Sequence, residues 1–316
     1  MADEGKEGGF FTLPHQTITD IVRHGQITGR HIAALLVLSC FSSKDHQTTR
    51  AGVQAVQNYV GVSRPVAQRI LQDLQSWGFV ATPETPRYGA RYLLSTTVKD
   101  ELVYLPQSLV VHESQPLKRL ASMQGGAAAK VLLLAYATFD QSGTIACAPG
   151  LFPWVECNTK LLCSIANYNL YSISGGDYRS LDVIGGLSDE MMITTIEALI
   201  REGLLYVSYA VYQGDPEGVS QLLYNITAPT WDTERVINRV GTRLKELARL
   251  LGHPIKEGVW CFLNEPGAEC TLAATLAPTY VTKGPHHLAG IEAFSLRQTE
   301  IERKLVECEQ AAYPEN

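Results

Sequence analysis

The stretch from Val60 to Val80 does more than any other to limit what this chain can fold into. Gly61 supplies the backbone freedom of a tight turn. Ser63 is placed as a helix N-cap, its hydroxyl set to accept hydrogen bonds from the free N–H groups of the next turn, and Pro65 occupies a first-turn position that needs no donor. A helix is therefore predicted from Ser63. Ala67, Ile70, Leu71, Leu74 and Trp77 recur at steps of three and four and make one apolar stripe, while Arg64, Gln68, Arg69, Gln72 and Gln75 fall opposite. Gly78 stops the helix, and Phe79 and Val80 begin an extended segment leading toward a hairpin. One face packs; the other is free to meet a partner.

The neighbouring residues supply a setting for such a helix. A short helix is predicted near Thr17 to His24. Gly29 to Phe41, with Ile32, Leu35, Leu36, Val37 and Leu38, reads as a nearly all-apolar helix at the centre of a core. Ser42 to Gln47 is polar and loop-like. Val53, Val56 and Tyr59 support a helix leading into the Gly61 turn, which completes a three-helix unit. Phe79 to Thr82 and Arg91 to Ser95 are extended and flank Pro83 to Gly89, a bend forming the expected wing, with Arg87, Tyr88 and Arg91 near its tip.

On these residues the chain resembles the DNA-binding end of winged-helix regulators of the GntR and MarR kind. Their sequences run as a Gly-Val-Ser-Arg turn, a helix, and then Gly with two apolar residues. The resemblance covers roughly residues 28 to 96. It departs at Pro65 and at Gln68, a position where such proteins often carry a phosphate-contacting Arg. The resemblance implies a helix that enters a DNA groove and a wing that flanks it.

Length leaves room for two or three domains, since 316 residues can bury more than one core. The net charge of −6 argues against a general nucleic-acid coat, but the charge is unevenly spread. Residues 10 to 112 carry nine Lys or Arg against six Asp or Glu, whereas residues 113 to 229 carry six against eleven. Any DNA contact belongs to the first third. Seven cysteines, none in a Cys-x-x-Cys pair and none near a His pair at ligand spacing, argue against a structural zinc site and suit a reducing compartment. The N-terminus lacks the parts of a signal peptide, and the longest apolar runs, Ile32 to Leu38 and Val131 to Ala137, are too short to span a bilayer. The expectation is a soluble cytoplasmic protein without a cofactor.

Farther along, Met1 to Gly9 is charged and Gly-rich, and residues 1–14 are expected to form a flexible tail from which Phe10, Phe11 and Leu13 reach the first domain. A first winged helix is assigned to 15–112, a linker with Pro116 and Gly125-Gly126 to 113–126, and a second winged helix to 127–230. Two features suggest an internal repeat: Ala127 to Phe139 is again mostly apolar, and Ser188 precedes Gly203 by the same fifteen residues that separate Ser63 from Gly78. Tyr206 to Tyr212 and Ser220 to Ile226 are its expected wing strands. Leu102 to Leu105 is free to add a strand or to dock on a neighbour. An insertion at about 141–184, rich in aromatics, Cys and Gly, interrupts the second unit. Its helix opens with Asp189 and Glu190, continues with Glu197 and Glu202, and offers Arg201 as its one cation, so it suits a protein contact better than a phosphate one.

Residues 231–316 are expected to be a helical region. Thr233 to Leu251 packs through Val236, Val240, Leu244 and Leu247 and stacks Arg235, Arg239 and Arg243, a solvated face before it is a phosphate-touching one. Gly252 to Gly290 reads as irregular. A last helix from about Ile291 to Ala311 carries Ile291, Phe294, Ile301, Leu305 and Cys308 on one seam, to pack on its own domain or to form a dimer.

The fold class is thus mainly α with small β wings, an α+β chain of two winged helix-turn-helix domains and a helical C-terminal region. The predicted DNA-binding residues are Arg50, Ser63, Arg64, Gln68, Arg69, Gln72, Arg87, Tyr88 and Arg91, because Arg pairs bidentately with guanine and Gln with adenine, and both reach phosphates. No P-loop, dinucleotide fingerprint, Gly-x-Ser-x-Gly elbow or His-Glu-x-x-His helix is present, and no catalytic or metal-binding role is expected. His286 and His287 read as surface residues, and nothing beside Cys157 or Cys163 would activate a thiol. The chain is expected to bind double-stranded DNA as a transcriptional regulator or a plasmid or phage replication initiator, whose layout it is similar to, with a protein partner or self-association through its second half. The rival is an assembly protein that uses tandem winged helices for protein contacts, as in chromosome-organising complexes.

Overall fold

The structure is a computed structural model that describes residues 9–82, 92–95, 102–123, 125–138, 155–178, 188–213, 221–225, 234–256, 259–266, 270–280 and 285–313. The chain divides into two compact units: Met1–Ala137 with Asp182–Leu205 and Tyr280–Gly284, and Thr138–Leu181 with Tyr206–Thr279 and Pro285–Asn316. Both are α+β, with antiparallel sheets.

The first unit is built around one helix. Strand β1 (Phe10–Pro14) leads into α1 (His15–Arg23) and then α2 (Gly29–Cys40). Every residue of α2 from Ile32 to Leu38 is at most 2 % exposed, so this helix is apolar all round because it is covered all round. Burying each of its Leu and Ile side chains contributes about 1.5–3 kcal/mol. The chain continues through β2 (Thr48–Thr49), α3 (Val53–Val60), α4 (Arg64–Ser76), β3 (Val80–Ala81) and β4 (Tyr92–Leu94). The three strands form a sheet in the order β2-β4-β3, all antiparallel. A core helix, a short strand, two helices joined by a tight turn, and two further strands that pair with the first make up an α+β arrangement. Gly61 makes the turn between α3 and α4 in the left-handed region, at φ 78°, and its N–H donates to the Gln57 carbonyl.

Two expectations about this unit are corrected. Residues 10–14, assigned to a flexible tail, form β1, which pairs with β5 (Leu102–Pro106) in a two-stranded antiparallel sheet. Phe11 pairs with Leu105 and Leu13 with Val103, all four buried, and Thr12 and Pro14 are buried with them, so the strand is covered on both faces. Residues 113–126, assigned to a linker, contain a packed helix. After α5 (Ser108–Val111) comes α6 (Pro116–Ser122), whose Leu117 and Leu120 are buried against α2 and α3. Pro116 does not break this helix because it sits in the first turn, where no backbone donor is missed.

Helix α7 (Ala127–Thr138) also belongs to the first unit. The Gly29 N–H donates to the Gly125 carbonyl at 2.9 Å, and the Lys130 ammonium, almost fully buried, donates to the His24 carbonyl at 2.9 Å. Helix α8 (Asp189–Arg201) buries Met192, Ile196 and Leu199. Its C-terminal end is tied to α6 by Arg119, which donates to the Glu202 carbonyl and, at 3.2 Å, to the Tyr280 hydroxyl.

The second unit is organised by a six-stranded sheet in the order β10-β7-β6-β11-β8-β9. Its members are β6 (Val155–Ile165), β7 (Tyr168–Tyr178), β8 (Leu205–Gln213), β9 (Gln221–Asn225), β10 (Trp260–Asn264) and β11 (Cys270–Pro278). Part of the unassigned insertion is therefore the β6–β7 hairpin. Residues 252–290, expected to be irregular, contain β10 and β11, so among the described residues the C-terminal region is helical only in α9 (Glu234–Leu250) and α10 (Pro285–Ala312). Leu244, Leu247 and Ala248 of α9, Ile301, Leu305 and Cys308 of α10, and Tyr168, Leu170, Cys261, Phe262 and Leu263 of the sheet share one core. The last helix packs on its own unit through these three residues. A second winged helix is not established. The β8–β9 hairpin follows α8 as expected and pairs antiparallel, but its strands extend a six-stranded sheet instead of closing a small wing. Among the described residues, no helix is long and apolar enough to cross a membrane.

Candidate nucleic-acid interface

Helix α4 is held from below and open above. Ala67, Ile70, Leu71 and Leu74 are buried, at the steps of three and four that one helix face requires. Trp77 follows the helix and packs at a tilt against His24 at 4.6 Å and His31 at 4.8 Å between ring centroids. Beyond it, Gly78 at φ 80° ends the helix, and the Phe79 N–H reverses to the Leu74 carbonyl at 3.0 Å.

On the opposite side Ser63, Arg64, Gln68, Arg69 and Gln72 are all exposed, as is Arg50 at the end of β2. Arg64, Gln68 and Gln72 lie one turn apart along a single line of the helix, with Arg69 beside them. Among the described residues, no carboxylate lies within ion-pair distance of Arg50, Arg64 or Arg69. Three cations and two amides therefore present unengaged donors, the complement of phosphate oxygens and base edges. Arg87, Tyr88 and Arg91, the residues assigned to the wing tip, lie outside the described residues.

Ser63 requires a correction. It occupies the N-cap with extended backbone, φ −69° and ψ 159°, but its hydroxyl makes no capping hydrogen bond. Pro65, two residues on, removes one of the two N–H groups that an N-cap side chain accepts from, and the other, on Val66, makes no bond to the hydroxyl. Ser188 has nearly the same backbone, φ −73° and ψ 158°, and there the hydroxyl does accept, from the Met191 N–H at 3.3 Å.

The comparison of α4 with α8 is close throughout. Both helices have thirteen residues and both end in the same reversal: Gly203 at φ 65°, with the Leu204 N–H bonded to the Leu199 carbonyl at 2.9 Å. Most buried positions correspond at a constant separation, Ala67 with Met192, Leu71 with Ile196, Leu74 with Leu199 and Phe79 with Leu204, whereas buried Ile70 falls on the half-buried Thr195. Their outward positions do not. Gln72 corresponds to Glu197, which is exposed, and Glu190 beside it is exposed too. One helix shape is thus built twice, with donors outward in one copy and carboxylates in the other.

Two residues that matter to α4 escaped sequence reasoning. Asp73 and His31 are 42 positions apart and meet at 3.3 Å. The one sequence signal was Thr28 three residues before His31, the spacing of a capping pair: the Thr28 N–H donates to His31 Nδ1 at 3.2 Å. Elsewhere, Arg243 of the stacked arginines on α9 donates to both carboxylate oxygens of Glu309, at 3.1 and 2.6 Å, so it is engaged within its own unit. The side chains of Arg235 and Arg239 lie outside the described residues. Burial pushes the thiols of Cys261 and Cys308 up to about 11, and that of Cys163 upward, away from what a nucleophile needs. Among the described residues, no group of His, Cys, Asp and Glu is arranged to hold a metal ion.

No protein-family model matches the chain, and no curated protein matches it significantly. Among solved structures, one match is the crystal structure of an IclR transcriptional regulator from Alicyclobacillus acidocaldarius. It is 15 % identical over 87 % of this chain and 97 % of that one, with a TM-score of 0.19. A superposition of that quality carries no argument about fold or function.

Proposed function

We propose that this chain is a non-catalytic, sequence-specific binder of double-stranded DNA that presents α4 to the major groove and acts on its host genome in the cytoplasm as a transcriptional regulator. The observation that carries the reading is the outward face of α4, where Arg64 and Arg69 are exposed beside Gln68 and Gln72 and have no carboxylate partner among the described residues. Phosphate contacts by Arg50 and Arg64 would set the position of the helix, and amide and guanidinium groups farther along would read base edges. Arg87, Tyr88 and Arg91 belong to the same proposal as backbone contacts from the wing.

A mobility shift at two salt concentrations tests it, with the wild type and the Arg64→Ala, Arg69→Ala double variant. The double variant is expected to lose roughly tenfold or more in affinity, and its dependence on salt is expected to be shallower by up to about two phosphate contacts. Failure of the wild type to retard any duplex, including the segment beside its own gene, overturns the reading. A replication initiator would use the same face. It would be told apart by binding an array of repeats at an origin and not a promoter.

The exposed carboxylates of Glu190 and Glu197 on α8 favour a second reading, in which that helix holds a protein partner or another copy of the chain. Charge reversal at these two positions is expected to disrupt such an assembly while leaving binding to a short duplex intact.

A further inference from the structure

We infer that His31 is a positioning residue for DNA binding: it holds the Asp73 carboxylate on the core side of α4 and so keeps the Arg69 guanidinium free for phosphate. The inference rests on the reading of α4 as the DNA-contacting helix. Asp73 follows Arg69 by four residues, so the two are neighbours on the helix surface, and an Arg and Asp at that spacing ordinarily pair. Here they do not. Asp73 Oδ2 lies 3.3 Å from His31 Nε2, and Arg69 has no carboxylate within ion-pair distance among the described residues.

The His31 ring is fixed on every side. Its Nδ1 receives the Thr28 N–H at 3.2 Å and lies 2.7 Å from the Thr28 hydroxyl, so Nδ1 acts as an acceptor and Nε2 carries the proton donated to Asp73. The Trp77 ring packs on it at 4.8 Å, and the side chain is 12 % exposed. Asp73, at 39 %, remains open enough to turn outward if the imidazole is removed. A carboxylate turned toward Arg69 would neutralise one of the two cations on this helix face and repel the phosphate approaching it.

The test is the affinity of the full chain for a short mixed-sequence duplex across a range of salt, for the wild type, His31→Ala, Asp73→Asn, and the two combined. His31→Ala is expected to bind about two- to tenfold more weakly, and its salt dependence is expected to fall by up to about one phosphate contact. Asp73→Asn is expected to bind at least as well as the wild type, and the combined variant to regain both affinity and salt dependence. That recovery is what loss of packing alone would not give. Should His31→Ala fail to fold, Asp73→Glu carries the test, since the added methylene moves the carboxylate off His31 and toward Arg69; weaker binding with reduced salt dependence is expected. A His31→Ala defect that persists in the combined variant, or unchanged binding by both His31→Ala and Asp73→Glu, overturns the inference while leaving α4 as the DNA-binding helix. No duplex binding by the wild type overturns both.

Discussion

Ser63 and Ser188 occupy the same place at the start of two matching helices, yet only the second caps. Pro65 removes the N–H of the second helical residue, but Ser188 accepts from the third, Met191, whose counterpart Val66 keeps its N–H; what differs is that one hydroxyl is bonded and the other is not. Ser188→Ala is therefore expected to cost about 1 kcal/mol of stability and Ser63→Ala less than about 0.5 kcal/mol, measured by urea unfolding. Asp45 makes a comparable local contribution. Burial pushes its carboxyl upward, but hydrogen bonds from the Thr48 hydroxyl and from the N–H groups of Thr48 and Gln47 outweigh this and hold it below the usual aspartate value of 3.8. The stabilisation is therefore present above that value and lost as the pH falls through the lower folded one. Asp45→Asn is expected to be less stable than the wild type near neutrality, by no more than about 0.5 kcal/mol because the group is exposed. The two should converge in denaturation measured at strongly acidic pH; a difference that persists there would show that the contact matters through shape and not charge.

Helices α4 and α8 show which part of a helix the chain specifies locally. The Ser-to-Gly spacing predicted their length, and the structure gives thirteen residues to each. Periodicity identified the buried residues Ala67, Ile70, Leu71 and Leu74 of α4 for the same reason: three- and four-residue steps are a property of the helix alone. The end of α4 depends on Gly78 at φ 80°, where an added Cβ would meet no atom within 4 Å. Gly78→Ala is thus expected to destabilise by about 1–2 kcal/mol through the backbone alone. Gly78→Asn should cost less, because Asn tolerates that conformation. Equal losses in thermal unfolding would point to a packing cause instead.

The second unit shows the limit of such reasoning. Its sheet joins residues from four separate stretches of chain, with Trp260 beside Ile173 and Ala273 beside Glu156. Prolines and glycines over 252–290 read as irregular because the partners of the strands there are remote in sequence. Helix α10 was legible in part: Leu305 was placed on the seam, and it is fully buried while Leu296 on the same helix is 68 % exposed. Leu305→Ala is expected to cost about 2–5 kcal/mol and Leu296→Ala almost nothing, read from chemical denaturation of the full chain. Comparable losses at both positions would mean that α10 is covered on a second face, as a dimer seam would require.

The order of residues along the chain determined whatever a few neighbours decide together: turns, helix lengths, buried stripes, and the outward Arg and Gln side chains of α4. Only the folded molecule decided the pairings between distant residues. Examples are β1 drawn out of the expected tail by β5, α6 drawn out of the expected linker by α2, and His31 meeting Asp73. The reason is physical. A helix closes its hydrogen bonds within four residues, whereas a strand or a side-chain bridge is completed by a partner whose arrival depends on how the rest of the core packs.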